Sequence, residues 1–324
     1  MSIGLGSDFK IYDEQFFGGM TEVLMQNADA FNQSSANAIQ LVPQELKGNY
    51  EKESFFTQIS SLVTRRDVTS VSTVTDIKMA QAEHVDVKVN RKIGPVAQTL
   101  DAFRKIAVDP QEMSFILGQQ TGKAVALDYL NSAVKSLVAG LGNVATTNAY
   151  DYSATGTMTH GVMATGLSKL ADNAKSIICW VMHSKVAFDL LGQSITDKII
   201  NVADMAIVRG DIATLGRPVV ITDAADLVVS GTPNKYYTLG LVEQAAVVKE
   251  SEERDIVSFL VTGLENLVMR IQGEYAFNVG LKGMSWDVTN GGANPADATL
   301  ATAANWLQVA TDSRALPGVR IKSQ

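Results

Sequence analysis

Cysteine, histidine, positive charge and long apolar runs are all scarce in this chain, and each scarcity removes a class of function. Cys179 is the single cysteine, so no intrachain disulfide can form. Its apolar neighbours Ile177, Ile178 and Trp180 read as the setting of a buried, inert thiol rather than a nucleophile. The longest strongly apolar run, Ile177 to Met182, falls far short of the ~20 residues a membrane span needs. Met1 to Lys10 has no basic start followed by an apolar stretch, so no secretory signal is read there. The expected site of synthesis is a cytosol, with no membrane partner. The 27 Lys and Arg residues face 34 Asp and Glu, a formal net charge of −7. A protein that grips a phosphate backbone normally shows a basic excess or a basic face. Tight nucleic-acid binding is therefore disfavoured, although proximity to DNA is not.

Chemistry-bearing clusters are missing as well. The three histidines are His84, His160 and His183. Cys179 and His183 are four apart, but Cys179 reads as a strand residue, and that spacing does not converge on a metal. There is no Gly-x-Ser-x-Gly elbow for a serine nucleophile, and no carboxylate pair stands out as an acid–base dyad. No catalytic, metal or cofactor-binding residue is assigned, and no cofactor is expected.

What is present suffices for a sizeable core: 324 residues, 46% hydrophobic and 19% charged, enough for two packed regions. Residues 1–48 are mixed and mostly polar, helix-compatible near Met20 to Phe31 and rich in Asn, Gln, Ser and Ala from Asn27 to Asn37. They read as an arm that packs on something else. Between His84 and Ile93, Val85, Val87 and Val89 alternate with Asp86, Lys88 and Asn90, the period of a half-exposed strand. Its expected partner is the β-branched stretch Val68 to Ile77. A lone ribbon of two strands is marginal in water, so it requires another surface.

Asp109, Pro110 and Glu112 open a helix, with Asp at the cap, Pro in the first turn and Glu three residues after the cap. Its apolar stripe is Met113, Ile116, Leu117, Leu127, Leu130, Val134, Leu137, Val138 and Leu141, and Gly140 to Gly142 read as the stop. Roughly 30 residues at ~1.5 Å rise make a rod of ~45 Å. A polar linker from Asn143 to Thr159 leads to a compact α/β region. That region is expected to hold a helix from Gly161 to Ala174, the strand Ile177 to Met182, and a short helix capped by Ser184 and ending near Leu191 and Gly192. A Leu215-Gly216-Arg217-Pro218 turn precedes the strand Val219 to Thr222. Later strands are expected at Tyr236 to Leu241, Ala245 to Lys249, Ile256 to Thr262 and Leu267 to Gln272, with a charged turn from Lys249 to Asp255.

Two nucleotide-like motifs fail on physics. Gly118-Gln119-Gln120-Thr121-Gly122-Lys123-Ala124 has three residues between its glycines and no Ser or Thr after Lys123. It also lies inside a helix, where its amides are used by the helix ladder. Gly140-Leu141-Gly142-Asn143-Val144-Ala145 follows a helix, whereas a dinucleotide site needs its glycines after a strand and before a helix.

The order of parts, polar arm, β-ribbon, long helix and compact α/β domain, resembles the major capsid proteins of tailed bacteriophages, the Hong Kong 97-like fold. Residue-level likeness lies in three segments. Ser176-Ile177-Ile178-Cys179-Trp180-Val181-Met182-His183-Ser184 is similar to the family's strand with its short polar step. Thr214-Leu215-Gly216-Arg217-Pro218-Val219-Val220-Ile221-Thr222-Asp223 is similar to its glycine-x-proline turn and strand. Trp286 to Trp306, with Gly291-Gly292-Ala293-Asn294-Pro295 and Leu300-Ala301-Thr302, is similar to the tails of some phage coat proteins.

The resemblance implies an α+β capsid fold. Residues 1–50 would be an N-terminal arm, 51–99 an extended β-ribbon loop, and 100–160 the spine helix and peripheral domain. Residues 161–246 would be the axial domain, and 247–324 the return strands of the peripheral domain with a C-terminal tail. It implies an icosahedral shell of pentamers and hexamers in the virion, enclosing double-stranded DNA that it touches only weakly and non-specifically. Scaffolding and portal proteins are implied partners, and a decoration protein is a further one. With about fifty residues before the ribbon and no coiled-coil heptads, a separate scaffold is expected. The alternatives are an encapsulin-like cage, or a tail or decoration component. Arg65, Arg66, Arg91 and Lys92 fall near the expected ribbon ends. They read equally as edge protection against unwanted strand pairing and as salt-bridge donors to an adjacent subunit.

Overall fold

In a computed structural model, residues 6–44, 48–56, 63, 65–73, 76, 81–99, 110–191, 199–202, 205–208 and 216–324 are described. Two sheets are organised around one long helix. The first contains β1 (Ile39–Pro43), β2 (Tyr50–Phe56), β3 (Gln81–Thr99), β11 (Ala246–Val261), β12 (Val268–Leu281), β13 (Met284–Trp286) and β14 (Trp306–Gln308). It runs β1–β11–β12, and β12 is flanked on its other edge by β3, which carries β2, and by β13, which carries β14. The second contains β4 (Ala149–Asp151), β5 (Ile177–Met182), β6 (Ile199–Val202), β7 (Met205–Val208), β8 (Val219–Ile221), β9 (Val228–Val229), β10 (Lys235–Val242) and β15 (Gly318–Ser323). Its order is β4–β15–β10–β5–β8–β7–β6, with β9 beside β10. The helices are α1 (Gly6–Ser34), α2 (Pro110–Asn143), α3 (Ala145–Asn148), α4 (His160–Ser168), α5 (Ser184–Leu191), α6 (Val288–Gly291) and α7 (Asp297–Leu300).

Helix α2 is described from Pro110, and the expected Asp109 cap lies outside the described residues. Its 34 residues span about 50 Å at ~1.5 Å per residue. Leu130, Val134, Leu137 and Leu141 of the expected stripe are buried, whereas Ile116 faces outward. The stripe lies on the first sheet, where Tyr129 meets Phe277 edge-on at 5.0 Å. Gly140 and Gly142 do not stop the helix. They sit inside it because a Cβ at Gly140 would lie 2.7 Å from Leu281 Cδ1, and one at Gly142 would lie 2.8 Å from an Arg320 guanidinium nitrogen.

The N-terminal region is a long helix laid along α2 of its own chain, not a free arm. Phe16, Met20, Leu24 and Phe31 are buried. The two helices run in the same direction, Phe16 beside Gly118 and Met20 beside Gly122, with backbone nearly touching backbone. Small residues four apart permit that approach. The phosphate-loop lookalike is thus a helix-crossing motif.

Five further expectations are corrected. The partner of β3 is Tyr50–Phe56, not Val68 to Ile77; residues 65–73 form no strand. Beyond Asp86, β3 also pairs with β12, so only its first residues form a two-stranded ribbon. The charged segment Lys249 to Asp255 is a bulged continuation of β11 rather than a turn, because pairing to β12 on both sides carries the ladder through it. The Asn143 to Thr159 linker is partly ordered, since Asn148 is buried and donates to Ser313 O at 3.0 Å and Gly318 O at 2.9 Å. The C-terminal region is no tail. Trp286 and Trp306 pack edge-on at 5.0 Å, and β15 is an inner strand of the second sheet.

The second sheet keeps close to its sequence. Ile177 to Met182 is β5 as read, and Gly216 takes a left-handed φ of 74° in the turn before β8. Ser184 is the first residue of α5 and not its cap. His183 Nδ1 accepts from the Lys185 N–H at 3.1 Å, so the imidazole caps the helix. Cys179 is buried, and desolvation pushes its thiol up to about 12, which keeps it protonated and inert.

Candidate inter-subunit interface

The four basic residues singled out in the sequence have different settings. Arg65 and Arg66 are exposed, in the loop between β2 and β3. Arg91 and Lys92 lie within β3, away from the ribbon end, and on opposite faces by strand alternation. Arg91 faces α2. Its Nε donates to Asp128 Oδ2 at 3.1 Å and a terminal nitrogen donates to Asp297 Oδ1 at 2.6 Å. Tyr275 OH also donates to Asp128, at 2.7 Å, and burial followed by that carboxylate holds the phenol well above its usual range. Lys135 continues the chain of charges, 3.5 Å from Asp297 and 3.8 Å from Asp226. The array ties β3 and β12 to the spine helix, to α7 and to the turn at Asp226 that leads into β9. Lys92 is exposed, with Glu274 as its cross-strand neighbour.

Replacing Arg91 by Ala leaves Asp128 and Asp297 without their shared cation. The expected loss of stability is about 1–3 kcal/mol, given the partial burial. Arg91→Lys recovers only part of it, because an ammonium lacks the guanidinium fork that reaches both carboxylates. Urea denaturation midpoints of the three chains check this.

The other face of the first sheet departs from the half-exposed reading. Asp86 is 4% and Lys88 5% exposed. Asp86 Oδ2 lies 3.4 Å from Lys249 Nζ, which also contacts Glu51 Oε2 at 2.6 Å. Gly280 opposite has no room for a side chain, since a Cβ there would meet Asp86 Oδ1 at 2.2 Å. His84 Nε2 is 2.9 Å from Asp86 Oδ1, a close contact that becomes an ion pair when the imidazole is protonated. Contact with Asp86 raises the His84 pKa above the ordinary 6.5, against the opposing effect of burial.

That shift has a sign. The folded chain binds the His84 proton more tightly than the unfolded chain. Its contribution is therefore full below about pH 6.5 and is lost as pH rises through the higher folded-state value. Wild type should lose melting temperature across that window relative to its own value at pH 6. A His84→Gln chain should show a flatter profile.

Exposed apolar side chains mark the ribbon. Phe56 at the end of β2, and Val63, Val68 and Val71 in the following loop, stand open to solvent among the described residues, with Phe56 60% and Val68 81% exposed and Phe55 beside them partly covered. The loop around them is locally built. Asp67 Oδ1 accepts from the Thr69 N–H at 2.9 Å and from its hydroxyl at 2.7 Å, and the Ser70 and Ser72 hydroxyls share a hydrogen bond of 2.6 Å. Sequence reasoning does not single out these exposed residues. The signal available is valine recurring among Ser and Thr, which reads equally as strand. Among the described residues no cluster of His, Cys, Asp and Glu fits a metal, and no helix is long and apolar enough to cross a membrane.

Set beside solved structures, the chain is similar to that of the cyanophage Pam1 capsid asymmetric unit. The TM-score is 0.50 at 12% identity, over 75% of this chain and 84% of that one. A chain from Mycobacterium phage Cain aligns with a TM-score of 0.48 at 12% identity, over 86% of this chain and 90% of that one. No curated protein matches the sequence. The first likeness shows the fold class: a mixed α+β chain with a long helix and two sheets, as in Hong Kong 97-like phage capsid proteins. The Gp13-like family, described as Major capsid protein 13-like, matches residues 8–320, and the chain belongs to it. It is a tailed-phage major capsid protein, a structural component of the virion shell and not an enzyme. That membership sets aside the encapsulin-like cage and the tail or decoration component.

Proposed function

We propose that copies of this chain close as pentamers and hexamers into an icosahedral shell around double-stranded DNA, each β2–β3 ribbon lying on a neighbouring copy. The observation that carries this reading is the uncovered apolar surface of the ribbon and its loop, at Phe55, Phe56, Val68 and Val71. An apolar surface of that kind gains by leaving water, at ~25 cal/mol per Å², and a neighbouring copy can supply the cover. Each subunit in a ring both gives and receives a ribbon, so modest contacts multiply when the ring closes.

In this reading the first sheet with α1 and α2 is the peripheral domain. The second sheet, formed by strands from residues 149–242 and 318–323, is the axial domain. Arg65, Arg66 and Lys92 are contacts to a neighbour, while Arg91 fixes β3 on the spine. The net charge of −7 supports an inner surface on which DNA slides rather than sticks. Scaffolding and portal proteins set the particle's size and its point of genome entry, while the contacts between copies of this chain suffice to close it. A reconstruction of assembled particles tests the arrangement. The expected map shows the ribbon crossing a subunit boundary; a ribbon folded back on its own chain contradicts it.

A further inference from the structure

An apolar groove of about 300 Å³ lies between α1 and β1, lined by Leu24, Met25, Leu41 and Val42 with the exposed Asp29 beside them. Met25 on its lip is 67% exposed. We propose that this groove receives the Arg65–Ser72 turn of an adjacent copy, with Val68 and Val71 in the apolar floor and Arg65 and Arg66 against Asp29. The proposal deepens the ribbon-on-neighbour reading and rests on it.

Three observations support the match. The turn displays aliphatic side chains beside two consecutive cations, and the groove displays aliphatic walls beside the exposed Asp29 carboxylate. Opposite charges at the rim set register and favour encounter, while the apolar centre supplies the cohesion. The turn is also ordered before it binds, by the Asp67–Thr69 and Ser70–Ser72 hydrogen bonds. These local bonds narrow the range of conformations the turn gives up on docking. Finally, polar hydrogen bonds hold the turn's shape without burying either valine, so their outward display is not explained by folding. Groove and turn are different surfaces, so the contact is head-to-tail and suits a ring.

The test uses the full chain carrying both Met25→Cys and Val68→Cys. Both positions are exposed, so folding should tolerate the changes, and the buried Cys179 does not compete. Particles are assembled, oxidised mildly and run on a denaturing gel without reductant. The expected result is a ladder of covalently linked chains longer than a dimer. Particles that form yet stay unlinked, or link only within one chain, overturn the groove assignment and leave the ribbon reading standing. A chain that forms no particles even without substitutions overturns the reading beneath it. A second arm uses charge. Arg65→Glu with Arg66→Glu should lower the particle fraction at least tenfold with an unchanged monomer melting curve, and adding Asp29→Lys should restore part of it. Unimpaired assembly, or no restoration, overturns the proposal.

Discussion

Gly118→Ala should destabilise the chain by about 2 kcal/mol or more, although alanine is the better helix former by ~1 kcal/mol. A Cβ at Gly118 would stand 2.2 Å from Phe16 O and 3.0 Å from Phe16 C. Both are backbone atoms, so no rotamer change relieves the clash and α1 must move away from α2. Moving it loosens Phe16, Met20 and Leu24, each contributing ~1.5–3 kcal/mol through burial. Gly118→Leu should release α1 outright. Gly18→Ala is the control. Gly18 lies in α1 with nothing within 4 Å of where its Cβ would stand, and the change should stabilise by up to ~1 kcal/mol. Denaturation midpoints give the signs, and hydrogen exchange over residues 16–31 shows whether α1 has detached.

Trp306→Ala should cost about 3–5 kcal/mol, the range for removing a large aromatic from a core. Trp306 is fully buried and meets Trp286 edge-on. The two stand opposite each other in the β13–β14 pair. Each indole also carries a hydrogen bond, Trp306 Nε1 donating to Leu300 O and Trp286 Nε1 to Gly292 O, both at 3.0 Å. The truncation therefore leaves a cavity and strips the Leu300 carbonyl of its indole donor. Trp306→Phe should recover most of the packing but not that hydrogen bond, at about 1–2 kcal/mol below wild type. A thermal melt of the three chains orders them.

What can be read from this sequence, and what cannot, follows the range of the forces involved. β5 is legible because its signal is local, a short run of buried apolar residues. Strand partners are not. β3 pairs with Tyr50–Phe56 and with β12 far along the chain, and nothing in a valine-rich stretch specifies which strand it will meet. Glycine misleads for the same reason. Gly140 and Gly142 look like a helix stop, yet they are small because Leu281 and Arg320 approach them. Gly291 is explained likewise, since a Cβ there would meet the Trp286 ring at 2.3 Å. The Gly118–Gly122 spacing is rightly refused as a phosphate loop. Its positive meaning needs the facing helix, where Phe16, Met20 and Leu24 repeat every four residues.

Charge shows the same limit. Asp86 and Lys88 alternate as a solvent-facing strand would, but Lys249 and Glu51, brought from other strands, enclose the Asp86 side of that face. Arg91 stands out among four basic residues, and the sequence holds no sign that Asp128 and Asp297 converge on it. The uncovered ribbon surface is expected in kind, from a ribbon unable to stand alone, but its residues are not.

Electron microscopy of the purified protein at rising concentration shows whether the ribbon of this shell subunit finds its cover on a neighbour. Closed particles of uniform diameter are the expected result. A stable, dispersed monomer at high concentration would contradict it.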